Sequence, residues 1–129
     1  MAKLLLVEDQ ADLRKMLPRV LAAKGHQVIP AGTVGEALTA LRESLANDDP
    51  FHLIISDLSL PDGNGFTVTN EAQRSSGSTV CCFMSGYDSL RASGFDEAFV
   101  SNLPLLRKPF TMDELYAFVS QCLDERAKS

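Results

Sequence analysis

No stretch of this 129-residue chain carries the roughly 20 consecutive apolar residues that a membrane-spanning helix needs. Its opening residues also lack an h-region followed by a cleavage site, so a cytoplasmic location is expected. Basic residues are in deficit, with 12 Lys and Arg against 17 Asp and Glu, a formal net charge of −5. That balance argues against nucleic acid as a direct partner, which calls for a basic face. Cysteine is scarce as well, and the three present make no disulfide framework. Cys81 and Cys82 are adjacent, so in a strand they point to opposite faces and read as reduced packing residues. With only His26 and His52, both at predicted strand starts, there is no Cys/His cluster to hold zinc. Linkers, repeats and low-complexity tracts are absent too. A hydrophobic content of 45% in this length fits a single domain over 1–129 with one core.

What is present is an alternation of strand and helix patterns. Lys3–Glu8 reads as a first strand. Leu13, Met16, Leu17, Val20 and Leu21 then fall at helical spacing, with Pro18 inside the pattern and Lys24-Gly25 closing it. Gln27–Ala31 is a second strand, and Val34, Ala37, Leu38, Leu41 and Leu45 form the next helical stripe. Phe51–Asp57 is the central strand and Phe66–Arg74 a short helix. Thr79–Met84, a helix over residues 88–98, and Asn102–Arg107 follow. A last helix carries Leu115, Phe118, Val119, Cys122 and Leu123, with Thr111 and Glu114 spaced as a capping box. Five βα units predict an α/β fold: a flavodoxin-like (βα)5 three-layer sandwich with a parallel sheet of order 2-1-3-4-5.

That order concentrates chemistry at one edge. Asp57 ends the central strand and precedes the turn-rich Pro61-Asp62-Gly63-Asn64-Gly65. Glu8 and Asp9 close the first strand, next to it, and Lys108 with Pro109 closes the last. Three carboxylates brought together repel one another unless their pKa values rise or a cation enters. Oxygen ligands without His or thiolate favour Mg²⁺ (or Mn²⁺) over zinc. A carboxylate beside such an ion and an ammonium can act as a nucleophile toward phosphorus. Ser85, at the end of the neighbouring strand, adds a hydroxyl for a phosphoryl oxygen. Taken singly, Asp57 reads as a cap, Ser85 as a turn residue and Lys108 as an exposed strand end; together they make a site. His26, His52, Asp62, Asp88, Asp96 and the run Asp124-Glu125-Arg126 read as ordinary boundary or solvated residues.

Four segments in this order and spacing resemble the receiver domain of two-component response regulators: Leu6-Val7-Glu8-Asp9, the stretch from Asp57 to Gly65, Ser85-Gly86, and Lys108-Pro109-Phe110. The similarity spans about Lys3 to Leu123. It implies that Asp57 accepts a phosphoryl group from the phosphohistidine of a histidine kinase or histidine phosphotransfer domain. It further implies that Glu8, Asp9, Asp57 and the Ser59 carbonyl hold Mg²⁺, that Ser85 and Lys108 contact the phosphoryl group, and that Lys108-Pro109 is cis. Such a domain catalyses only its own phosphorylation and dephosphorylation. One departure stands out: the family places Tyr or Phe three residues before the lysine, and here that residue is Leu105, with no ring to turn. The ending Leu105-Leu106-Arg107-Lys108-Pro109-Phe110 most resembles the C-terminal receivers of hybrid sensor histidine kinases.

Other classes fit less well. A phosphatase of the haloacid dehalogenase type needs a second Asp two residues after the nucleophile, and Ser59 stands there. A nucleotide or flavin module needs a Gly- or hydroxyl-rich loop after the first strand, where Glu8-Asp9-Gln10-Ala11 is neither. A degenerate receiver used only as a binding surface would not need the full set of acids and the lysine.

Overall fold

The computed structural model describes residues 2–86 and 102–128. Five parallel strands form the sheet: β1 (Lys3–Val7), β2 (Gln27–Ala31), β3 (Leu53–Asp57), β6 (Val80–Ser85) and β7 (Leu105–Arg107). Their spatial order is β2-β1-β3-β6-β7. This is the expected 2-1-3-4-5 arrangement with a two-stranded antiparallel hairpin, β4 (Ser59–Leu60) and β5 (Gly63–Asn64), inserted after β3. Residues 61–65 are turn-rich and predict a loop, and the structure folds residues 61–64 into the hairpin's turn and second strand. The helices are α1 (Ala11–Ala22), α2 (Val34–Ala46), α3 (Gly65–Ser75) and α4 (Met112–Lys128). The helix predicted over residues 88–98 lies outside the described residues.

Side chains alternate across the sheet with period two, and each face has its own core. Leu4, Leu6, Leu53, Ile55 and Met84 pack with Leu17 and Leu21 of α1 and with Leu115 and Val119 of α4. Leu5, Val7 and Ile54 face the other way, against Val34, Ala37 and Leu41 of α2 and Val68 and Ala72 of α3. Residues 53–57 are buried without a break, because the central strand is covered on both sides. Each such leucine or isoleucine is worth roughly 1.5–3 kcal/mol of burial.

Local chemistry sets the element ends. Gly25 takes φ +88° after α1, a conformation that favours glycine. Thr33 caps α2 by accepting the Glu36 N–H at 3.0 Å. Thr111 and Glu114 exchange both capping-box bonds, at 3.0 and 3.1 Å. Helix α1 runs through Pro18 as one element.

Two stripe positions depart from expectation. Met16 is 39% exposed and Leu45 37%. Met16 lies on the margin of the face centred on Leu17 and Leu21. Near the end of α2, Ser44 takes the buried position, satisfying its hydroxyl on the Leu41 carbonyl at 2.8 Å. The last strand is also shorter than Asn102–Arg107: Pro104 has no N–H to donate, although its carbonyl accepts the Phe83 N–H at 2.9 Å.

Candidate functional site

Parallel register brings the strand ends together. Val7 pairs with Ser56, so Glu8 and Asp57, each one residue further on, are neighbours at the carboxyl edge. Asp57 pairs with Met84, and Ser85 pairs with Arg107, which puts Ser85 and Lys108 at the same rim. Lys108 reaches back across it. Its ammonium lies 2.5 Å from Oε1 of Glu8 and 2.8 Å from Oδ1 of Asp57. The Lys108-Pro109 peptide bond is cis, as the resemblance implied.

Glu8 is fully buried and Asp57 is 2% exposed, while Asp9 is exposed. Each of the three acids can offer a carboxylate oxygen so that all lie within 4.8 Å of one another. Burial, then the hydrogen bond and like charge of Glu8, push Asp57 up to about 8 despite the ammonium nearby. Burial also opposes the charge on Glu8. There the hydrogen bonds from Asp57, Lys108 and the Gln10 N–H (3.1 Å) prevail, and its pKa falls below the ordinary value. Lys108 is raised because the two acids outweigh its own burial. The pair Glu8 and Asp57 thus shares one proton, held by Asp57.

Such an arrangement suits a cation. Once Asp57 ionises, three carboxylates and one ammonium carry a formal charge of two minus, and the donors are hard oxygens. Oδ1 of Asp57 is buried and takes no aligned hydrogen bond, although the Lys108 ammonium is close. A buried carboxylate oxygen held by one ammonium has lone pairs to spare, and a metal ion can use them.

Ser85 stands at the rim, 1% exposed, with its hydroxyl donated to the Gly86 carbonyl at 3.2 Å rather than to the acids. Ser59 begins the β4–β5 hairpin, paired with Asn64. His52 acts structurally, its Nδ1 accepting the Lys3 N–H at 2.9 Å. None of the three cysteines forms a disulfide among the described residues; burial pushes Cys81 up to about 11 and raises Cys82 well above its ordinary value, in keeping with a packing role.

Three residues near the site carry more than the sequence suggested. Asp62, read as solvated, accepts the N–H groups of Val34 and Gly35 at 2.8 and 3.0 Å and ties the hairpin to the start of α2. These two bonds hold its pKa down. Gly65 sits against the backbone of Asp57. Arg14 donates to the carbonyls of both Glu8 and Asp9, each at 3.1 Å. The turn-rich composition of residues 61–65 was the available signal for the first two; Arg14 gave none.

The family model described as the response regulator receiver domain matches residues 4–120. Among curated proteins, the chain is 30% identical to the sensor kinase CckA of Brucella abortus over 131 residues, covering 97% of this chain and 13% of that protein. It is 32% identical to the CpxR homolog of Haemophilus influenzae, a transcriptional regulatory protein, over 98% of this chain and 52% of that one. The chain therefore spans only a fraction of these relatives. Among solved structures, the receiver domain of the hybrid histidine kinase CckA superposes with a TM-score of 0.72 at 26% identity, covering 94% of this chain and 98% of that one. A CheY-like receiver from Methanospirillum hungatei gives 0.76 at 22% identity, over 99% and 98% of the two chains, a likeness of fold.

Proposed function

This chain belongs to the response regulator receiver family of two-component systems, and from that premise we propose that Asp57 is its phosphoacceptor. The phosphohistidine of a histidine kinase or histidine phosphotransfer domain is the donor. A carboxylate oxygen of Asp57 attacks phosphorus, the P–N bond to the donor imidazole breaks, and the electron pair leaves with that nitrogen. The observation that carries this reading is the ammonium of Lys108 set between Glu8 and Asp57, at 2.5 and 2.8 Å.

Glu8, Asp9 and Asp57, with the Ser59 carbonyl, would hold Mg²⁺; when bound, it offsets negative charge on the transferred phosphoryl oxygens. Lys108 moves from pairing two carboxylates to pairing carboxylate and phosphoryl. Ser85, whose hydroxyl donates to the Gly86 carbonyl, turns to a third oxygen. A raised Asp57 is a poor nucleophile while protonated, so Lys108 and the cation site together favour the carboxylate form. No described helix is long and apolar enough to cross a membrane, and a cytoplasmic setting, free-standing or within a hybrid kinase, fits this chemistry.

Incubation with acetyl phosphate and Mg²⁺, read by intact mass, tests the assignment. One phosphoryl group should be added, EDTA should prevent it, and Asp57→Asn should abolish it. Undiminished labelling of Asp57→Asn would refute it.

A further inference from the structure

Arg14 and Gly32 form a contact that no catalytic step requires. The guanidinium Nη1 of Arg14 donates to the carbonyl oxygens of both Glu8 and Asp9, at 3.1 Å each. It thereby holds the backbone of two of the three acids from behind. The same nitrogen occupies space that a side chain on residue 32 would need: a Cβ at Gly32 would come within 2.8 Å of Nη1 and 3.2 Å of Cζ. Gly32 has no left-handed φ, so its backbone tolerates alanine. Its role is to leave room for the guanidinium.

We propose that Arg14 is a positioning residue that fixes the Glu8–Asp9 turn for cation binding, and that Gly32 is the notch that seats it. The inference rests on the reading that Glu8, Asp9 and Asp57 hold a divalent cation. Two carbonyls tied to one planar donor cannot rotate independently, so the backbone of Glu8 and Asp9, and with it the two carboxylates that backbone carries, is presented in one orientation. The charge of Arg14 works in the opposite sense, because a positive group this near the acids repels a cation. The two effects therefore predict opposite signs when Arg14 is removed. Adding a methyl at residue 32 displaces only the far end of a flexible side chain and keeps the charge, so it isolates the geometry.

The experiment is a Mg²⁺ titration of the metal-free chain, followed by amide NMR shifts, with thermal melting as the control for folding. Gly32→Ala should raise the Mg²⁺ Kd roughly tenfold, as expected for loss of an outer partner of a metal ligand, and should shift the metal-free amides of Asp9 and Gln10. Arg14→Ala should weaken binding similarly, against its electrostatic effect. The double variant should be no weaker than Arg14→Ala alone, and Arg14→Lys should restore part of the affinity. The clamp is overturned if Gly32→Ala binds Mg²⁺ within about twofold of the parent, or if the double variant shows the additive loss of independent sites. Tighter binding by Arg14→Ala overturns it as well. Should Gly32→Ala fail to fold, the sign of the Arg14→Ala effect and the Arg14→Lys recovery decide. A parent chain that binds no Mg²⁺ sinks the cation reading and the clamp with it. A parent that binds while the variants match it sinks the clamp alone.

Discussion

Gly65 leaves no space for a side chain beside Asp57. A Cβ there would run into the Asp57 carbonyl oxygen, and would stand 2.9 Å from Oγ of Ser56 and 3.3 Å from the Phe83 ring. The first obstacle is backbone and the third a buried ring packed at a tilt of 47° against Phe66, with centroids 4.9 Å apart, so neither swings aside cheaply. Gly65→Ala should cost about 1–3 kcal/mol of stability, the usual penalty of overpacking. Urea denaturation measures it, and an unchanged midpoint would contradict the close approach.

Asp57 makes stability depend on pH. Held up to about 8, mainly by burial, it keeps a proton in the native state that the unfolded chain releases near 4. The native state gains fully from this below about 4 and loses the gain as pH rises from 4 to 8. His26, whose pKa burial lowers, slopes the other way, so the comparison must be with Asp57→Asn, which shares it. In EDTA, the stability of the parent relative to Asp57→Asn should fall across that window. Mg²⁺ binds the carboxylate form, so binding at pH 7 should release about one proton. Calorimetry in buffers of different ionisation enthalpy reads that number; a heat independent of buffer would count against the shared proton.

Asp62 shows where sequence reasoning reached its limit. The strands and the rim of acids were legible because apolar runs end in carboxylates, and register alone then brings Glu8 beside Asp57. Leu4 to Val7 and Leu53 to Ile55 are buried as their pattern demanded. Asp62 carries no such pattern. Its partners, Val34 and Gly35, lie 28 and 27 positions away, and only the folded hairpin brings them within reach. Arg14 is similar: a helix-surface arginine by spacing, whose partners are backbone carbonyls that every residue has. Met16 failed for a different reason, since helical periodicity names a face but not its width.

The Asp62 contact yields its own test. Two backbone N–H groups at the start of α2 lose their acceptor in Asp62→Ala, which should cost about 1 kcal/mol, as for loss of a helix cap. Asp62→Asn keeps one carbonyl acceptor and should fall between alanine and the parent in chemical denaturation. Equal stability of all three would show that solvent serves the α2 terminus as well as the carboxylate does.

Leu105 occupies the place of the family's aromatic, and the structure shows what surrounds it. It is half-buried, opposite Phe83 in the ladder, and packs with Leu58, Phe66 and Leu103 in a small cluster separate from the two main cores. Leu58 directly follows Asp57, and the Phe83 ring lies against the Gly65 position, so the cluster adjoins the backbone of the acceptor. A displacement of the Asp57 turn or of Ser85, two residues beyond Phe83 on the same strand, must therefore press on this cluster before it reaches the surface. Interiors this close-packed transmit such shifts rather than absorb them. With Mg²⁺ and beryllofluoride, the Leu105 methyl signals and the Phe66 and Phe83 ring signals should shift together. Leu105→Ala, which empties the outer end of the cluster, should leave pocket amides responding while the ring shifts shrink. Methyl signals at Leu105 that stay fixed under saturating beryllofluoride would mean that the phosphorylated pocket is not read through β7.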